Sequence, residues 1–142
     1  MSLLELVPEA ALLAITTPQA AARSVAARVV RMARDAGMPI AGVVENMSWV
    51  VCAGCGNHTA IFGAGGGTQL AEQAGAPLLG QIPLDPALRV GADCGVPVVL
   101  DQPRAPAAAE LCRIAATLPT ARRSLCRRAL PLSVVAAATD TP

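Results

Sequence analysis

Two short apolar runs at residues 11–16 and 40–44 bracket a stretch of helical periodicity. That order restricts the fold more than any other feature of the chain. A strand apolar on both faces must be covered on both faces, the condition of an interior strand in a parallel sheet. Two such strands joined through a helix make a βαβ unit. The helix is expected over residues 18–36, with Thr17 as N-cap and Pro18 at its first position, ended by Gly37 and Pro39. Ala22, Val25, Val29, Met32, Ala33 and Ala36 share one face and are expected to be core. Arg23, Arg28, Arg31 and Arg34 occupy the other face as a solvated row.

Further along, the pattern predicts a short helix over 68–74, a third strand over 78–82 and a helix from Asp85-Pro86 to about Asp93. An extended segment over 96–100 and an amphipathic helix over 105–118 follow. After Pro119 the periodicity dissolves, and 119–142 reads as a frayed tail. There is no internal repeat and no second domain, so the expectation is one α/β domain. Hydrophobic residues are 54% of the 142 but aromatics only 1%, so the core must be built from Ala, Val, Leu and Ile. Charged residues are 15%, below the roughly 25% of ordinary soluble domains. Either partner protein covers part of the surface, or the composition reflects alanine-rich drift.

A net charge of +1 argues against a nucleic acid partner or an acidic membrane surface. No apolar run approaches the ~18 residues of a membrane span, and Glu5 sits where a secretory segment would want basic charge. Five unevenly spaced cysteines then point to a reducing cytoplasm, where paired thiols are ligands or redox groups before they are disulfides. Every one of the 11 basic residues is arginine. A Walker A loop needs a lysine at the β- and γ-phosphates, so this chain alone cannot supply that group.

Cys52 and Cys55 stand on one turn after the apolar Val50-Val51, with Gly56 behind them. Three readings compete: a metal or cluster ligand pair, a dithiol redox couple, or small core residues. A redox couple belongs at a helix N-terminus, whereas Gly56-Asn57-His58-Thr59 is turn-forming, which favours a metal knuckle for zinc, copper(I) or an iron–sulfur cluster. Two sulfurs are half of a tetrahedral set. His58 is a candidate third ligand, more often simply hydrogen-bonded in such a turn, and Cys94, Cys112 and Cys126 read as small buried hydrophobes. A two-fold dimer, each copy donating one pair, completes four sulfurs most simply.

Glu45-Asn46 closes the second apolar strand, at the strand end where open α/β sheets bind ligands. The Asn46 amide matches the N6/N7 edge of adenine, and its bland reading is a turn residue. Asp85, in Ile82-Pro83-Leu84-Asp85-Pro86, reads equally well as a helix N-cap. The glycines at 63–67 match neither the P-loop nor G-x-G-x-x-G and read first as a hinge, with anion binding by their N–H groups as the alternative.

Taken in order, Gly42-Val43-Val44-Glu45-Asn46-Met47-Ser48, the Cys52/Cys55 pair, Ile61-Phe62-Gly63, Leu70-Ala71-Glu72 and Ile82-Pro83-Leu84-Asp85-Pro86 closely resemble the C-terminal half of Mrp/ApbC-type iron–sulfur cluster carriers. Those belong to the MinD/ParA-like deviant P-loop ATPases. Thr16-Thr17-Pro18-Gln19 and Gly95-Val96-Pro97-Val98-Val99 extend the match, which runs over about residues 3–118. The resemblance implies a partial parallel-sheet, P-loop NTPase-like (Rossmann-type) fold without the N-terminal strands and Walker A loop. It implies that Cys52 and Cys55 hold a labile [4Fe–4S] cluster across a homodimer for delivery to apo-proteins. It also implies that Asn46 contacts the adenine of ATP and that the loop at Pro83 and Asp85 closes over the base. The family's phosphate loop, magnesium-binding hydroxyl and Walker B aspartate have no counterpart here. The expectation is therefore a fragment or split gene product, with a separate chain supplying that half. Such a chain is expected to expose an apolar sheet edge and to self-associate. A structural zinc dimer with a Cys₄ site, an active ATPase and a non-functional remnant are the competing readings.

Overall fold

The computed structural model describes residues 10–52 and 54–118; the expected tail at 119–142, and Cys126 within it, lie outside the described residues. Strands β1 (Leu12–Thr16), β2 (Ile40–Asn46) and β5 (Leu78–Ile82) form a parallel sheet in the order β1-β2-β5. β3 (Val50–Val51) and β4 (His58–Thr59) form a separate antiparallel hairpin. Helices α1 (Ala20–Asp35) and α2 (Gly66–Ala74) cover one face of the sheet, packing Ala26, Val30, Leu70, Ala71 and Ala74 on Ala14 and Val43. On the other face α5 (Pro106–Thr117) packs Ala107 and Ile114 on Val44 and Ile82. Val43 and Val44, adjacent in the central strand, are thus buried in opposite layers, as an apolar parallel strand requires. The α/β class and the parallel sheet stand as the sequence predicts.

Local corrections have local causes. α1 begins at Ala20, with Gln19 at the N-cap, while the Thr17 hydroxyl donates to the Gln19 side chain at 2.9 Å. Pro18 sits before the helix, its backbone covered by the close approach of Gly66. The glycines at 66 and 67 serve packing and not hinging. A Cβ at Gly66 would fall 2.6 Å from the Pro18 carbonyl oxygen, and one at Gly67 2.6 Å from Glu45 Cβ. The segment around Val96 is not extended. Pro97 opens a single turn, α4 (Val98–Asp101), after α3 (Pro86–Cys94), because the missing Cβ of Gly91 admits the Val96 carbonyl and Val98 is buried. Cys94 and Cys112 are exposed, at the end of α3 and on the solvent side of α5, and are not core.

The two edges of the sheet are treated differently. Along β5, the Glu110 carboxylate accepts from Gln81 N–H at 3.0 Å and Arg113 donates to the Leu79 carbonyl at 2.8 Å. The two side chains are themselves paired at 2.6 Å, in space that a Cβ at Gly80 would occupy. The Arg113 hydrogen bond, helped by Gln81 N–H, holds the Glu110 carboxyl below its ordinary value. The tie is therefore intact above the usual carboxylate range and released only as pH falls through the depressed value. Such side-chain plugs blunt an edge strand.

Nothing comparable guards β1 among the described residues. Ile15 is 59% exposed on the α5 side of the sheet, because α5 covers β5 and does not reach β1. α1 lies chiefly on β1, and its flank away from α2 carries Val25 (61% exposed), Val29 and Met32 (65%). These three were expected in the core. The residues that point at the sheet are Ala26 and Val30, about 100° further round the helix, with Ala33, which was expected in the core. At micromolar concentration the metal-free chain is expected to sediment as a self-associated species. Val29→Lys with Met32→Lys should shift it toward monomer; a parent chain that is monomeric throughout that range contradicts the open-edge reading.

Candidate cluster and nucleotide site

The chain leaves β2 at the C-terminal edge of the sheet through a constrained turn. Asn46 Oδ1 accepts from Met47 N–H at 2.9 Å, and Met47 takes φ +57°, the left-handed region that non-glycine residues seldom occupy. Ser48 N–H then donates to the Ile82 carbonyl at 3.1 Å, and Leu84 N–H to the Trp49 carbonyl at 2.7 Å. These bonds stitch the segment after β2 to the loop after β5. They bring the base of the cysteine hairpin beside Pro83 and Asp85, with a cavity of about 230 Å³ lined by Val50, Val51, Pro83, Leu84 and Asp85.

Under this junction lies Glu45, 1% exposed. Its Oε1 accepts from Ser48 Oγ at 2.9 Å and Gln81 Nε2 at 2.8 Å, and its Oε2 from the Gly67 N–H. One carboxylate thereby joins the central strand, the strand beside it, the turn into the hairpin and the first turn of α2. The sequence places Glu45 at the end of an apolar strand but does not assign its role; the signal was an acid closing such a run, where only a well-satisfied carboxylate is tolerable.

Cys52 and Cys55 stand at the exposed tip of the β3–β4 hairpin. Cys52 N–H donates to the Asn57 carbonyl at 2.9 Å and Gly56 N–H to the Cys52 carbonyl at 2.8 Å; Gly56 has φ +71°. Hydrogen bonds to Cys52 from the backbone of Cys55, the backbone of Gly54 and the Cys55 thiol hold its pKa below that of an ordinary thiol. A thiolate is the form that ligates soft metals. Among the described residues no third His, Cys, Asp or Glu joins the pair. His58 stacks on Trp49, ring centroids 5.6 Å apart and planes within 7°, bracing the hairpin stem.

Asp85 is committed at both oxygens. One accepts from Ala87 N–H at 2.9 Å, the N-cap of α3, and the other from Ala107 N–H at 3.2 Å in the first turn of α5. It therefore fixes the loop beside the hairpin whatever ligand that loop receives. Asn46 lies half-buried at the strand end and does not line the Pro83–Asp85 cavity.

The family model described as "ParA: NUBPL iron-transfer P-loop NTPase" matches residues 1–119. The chain belongs to this family. Proteins named iron-sulfur cluster carrier protein are 46% identical over 138 residues in Mycobacterium tuberculosis H37Rv and 44% over 131 residues in Mycobacterium leprae. The alignments cover 93% and 88% of this chain but 36% and 34% of those proteins. The chain thus spans about a third of the length of the curated relatives it matches. Among solved structures it is similar to the cell division ATPase MinD of Pyrococcus furiosus, with TM-score 0.57 and 25% identity over 74% of this chain and 41% of that one. MinD of Pyrococcus horikoshii, complexed with Mg-ADP, gives 0.56 at 25% identity, covering 72% and 39%. The fold is that of part of a MinD-like P-loop NTPase.

Two outcomes follow from the geometry. The rate of Cys52 alkylation against pH should rise with a midpoint below that of cysteine in an unstructured peptide, since the lowered pKa leaves more thiolate at neutral pH; an unshifted midpoint removes the assigned hydrogen bonds. Glu45→Ala, which strands the Gln81 and Gly67 donors, should cost about 2–4 kcal/mol in denaturant unfolding. A loss within error of zero shows that the carboxylate is not the tie described.

Proposed function

We propose that this chain is the cluster-bearing portion of an iron–sulfur cluster carrier, binding a [4Fe–4S] cluster through Cys52 and Cys55 across a homodimer and delivering it to apo-proteins. The observation that carries this reading is the exposed hairpin tip, where two thiols stand together with one held toward thiolate and, among the described residues, no third ligand beside them. Half a coordination sphere at a surface suits cargo: a second copy completes four sulfurs, and separation of the copies releases the cluster. The names of the mycobacterial relatives support the same class of cargo.

Nucleotide binding belongs to the same reading. Asn46 would face adenine, with the Pro83–Asp85 loop held over the base by the double cap that Asp85 provides. The domain would run over residues 3–118, and a phosphate-binding lysine would have to come from outside these 142 residues, which contain none. The open β1 edge and the apolar flank of α1 suit the strand and helix such a half would add. By itself the chain should bind ATP weakly and not hydrolyse it. A cytoplasmic setting accords with thiols kept reduced.

Anaerobic reconstitution with iron and sulfide should give a broad absorbance near about 400 nm, about four irons per two chains and a dimer that forms with the cluster. Cys52→Ser should abolish all of these. Zinc in the native protein at one ion per two chains would favour the structural Cys₄ reading, and absence of both metals with freely titrating thiols would end the proposal.

A further inference from the structure

The arginine row of α1 is solvated, as expected, and also borders a groove. Arg23, Arg28 and Arg31 line a cavity of about 360 Å³ between α1 and α2, closed on the far side by Gln73. An adjoining cavity of about 250 Å³ shares Arg31 and Gln73 and continues to Arg34, with Val30 and Leu70 in its lining. From Arg23 to Arg34 is eleven residues, so the groove runs about 16 Å along the helix. Among the described residues the ion pairs within 4 Å are Arg89–Asp93 and Glu110–Arg113, and none involves these four arginines. A chain of net charge +1 therefore concentrates on one helix four guanidinium groups that have no ion pair among the described residues.

We propose that this groove binds an acidic polypeptide segment of a partner protein. Guanidinium groups are matched in geometry to carboxylates, which they hold through paired N–H donors. A length of about 16 Å corresponds to roughly five residues of extended chain. A nucleic acid fits less well, because neither cavity is lined by an aromatic side chain for a base to stack on. Position adds a consequence. α1 follows β1, so its Arg23 end lies at the C-terminal edge of the parallel sheet, the edge from which β2 leads into the cysteine hairpin. A segment seated in the groove brings its parent protein to the thiol-bearing edge. The groove itself requires neither cluster nor nucleotide, so its test is independent of the function proposed above.

The experiment uses the full, metal-free chain and fluorescein-labelled octaglutamate, read by anisotropy. Binding is expected at about 50 mM salt and should fall steeply by about 500 mM. Arg31→Glu with Arg34→Glu should weaken it at least about tenfold. The milder Arg31→Gln should weaken it several-fold, and both variants should keep the parent's circular dichroism. Arg89→Gln with Arg104→Gln, remote from the groove, should leave binding unchanged. Equal loss in that remote pair, no loss in the groove variants, no binding of the peptide at low salt, or tighter binding of a single-stranded oligonucleotide of equal charge would each overturn the assignment.

Discussion

Burying a carboxylate is costly unless every oxygen is given donors, and Glu45 receives three from three separate parts of the chain. Gly67 brings the first turn of α2, Gln81 the neighbouring strand, and Ser48 the turn that launches the cysteine hairpin. The glycine at 67 is there because Glu45 Cβ leaves no room for another side chain. With that tie in place, the segments after β2 and after β5 run together, and the bonds from Ser48 to Ile82 and from Leu84 to Trp49 follow. The hairpin is presented on a rigid base although its tip is fully exposed.

The contrast between the sheet edges carries as much meaning as the core. β5 is finished: Glu110 and Arg113 occupy its outward groups, and Gly80 makes space for them. β1 is unfinished, with Ile15 bare on one face and Val25, Val29 and Met32 bare beyond it on the other. An edge that is plugged and an edge that is apolar answer different requirements, solubility in the first case and a neighbouring strand in the second. Relatives about three times as long accord with that difference.

Much of this was legible in the residues. Parallel strands announce themselves by being apolar on both faces, and β1, β2 and β5 were located to within a residue or two. Cys52 and Cys55 were legible because two thiols at this spacing serve few purposes. The buried side of α1 was not. Val25, Val29 and Met32 form as good an apolar stripe as Ala26, Val30 and Ala33, and side-chain size argues for the wrong one; only the close approach of helix to sheet, which small residues permit, selects the alanines. The short run after Gly95 was ambiguous for a similar reason, since four apolar residues have no period of their own. The role of Glu45 as a tie was not legible because two of its partners lie 22 and 36 residues away.

By itself the sequence determined the class of fold, the positions of the strands and the presence of two closely spaced thiols, because these depend on local polarity and spacing. It also determined that no lysine from this chain reaches a phosphate. Tertiary structure alone decided which flank of α1 meets the sheet and which edge is sealed, and it alone made the α1 arginines into a groove and Asp85 into a cap on two helices at once. Those outcomes depend on which atoms arrive opposite one another across long separations in the chain, and no local pattern encodes that.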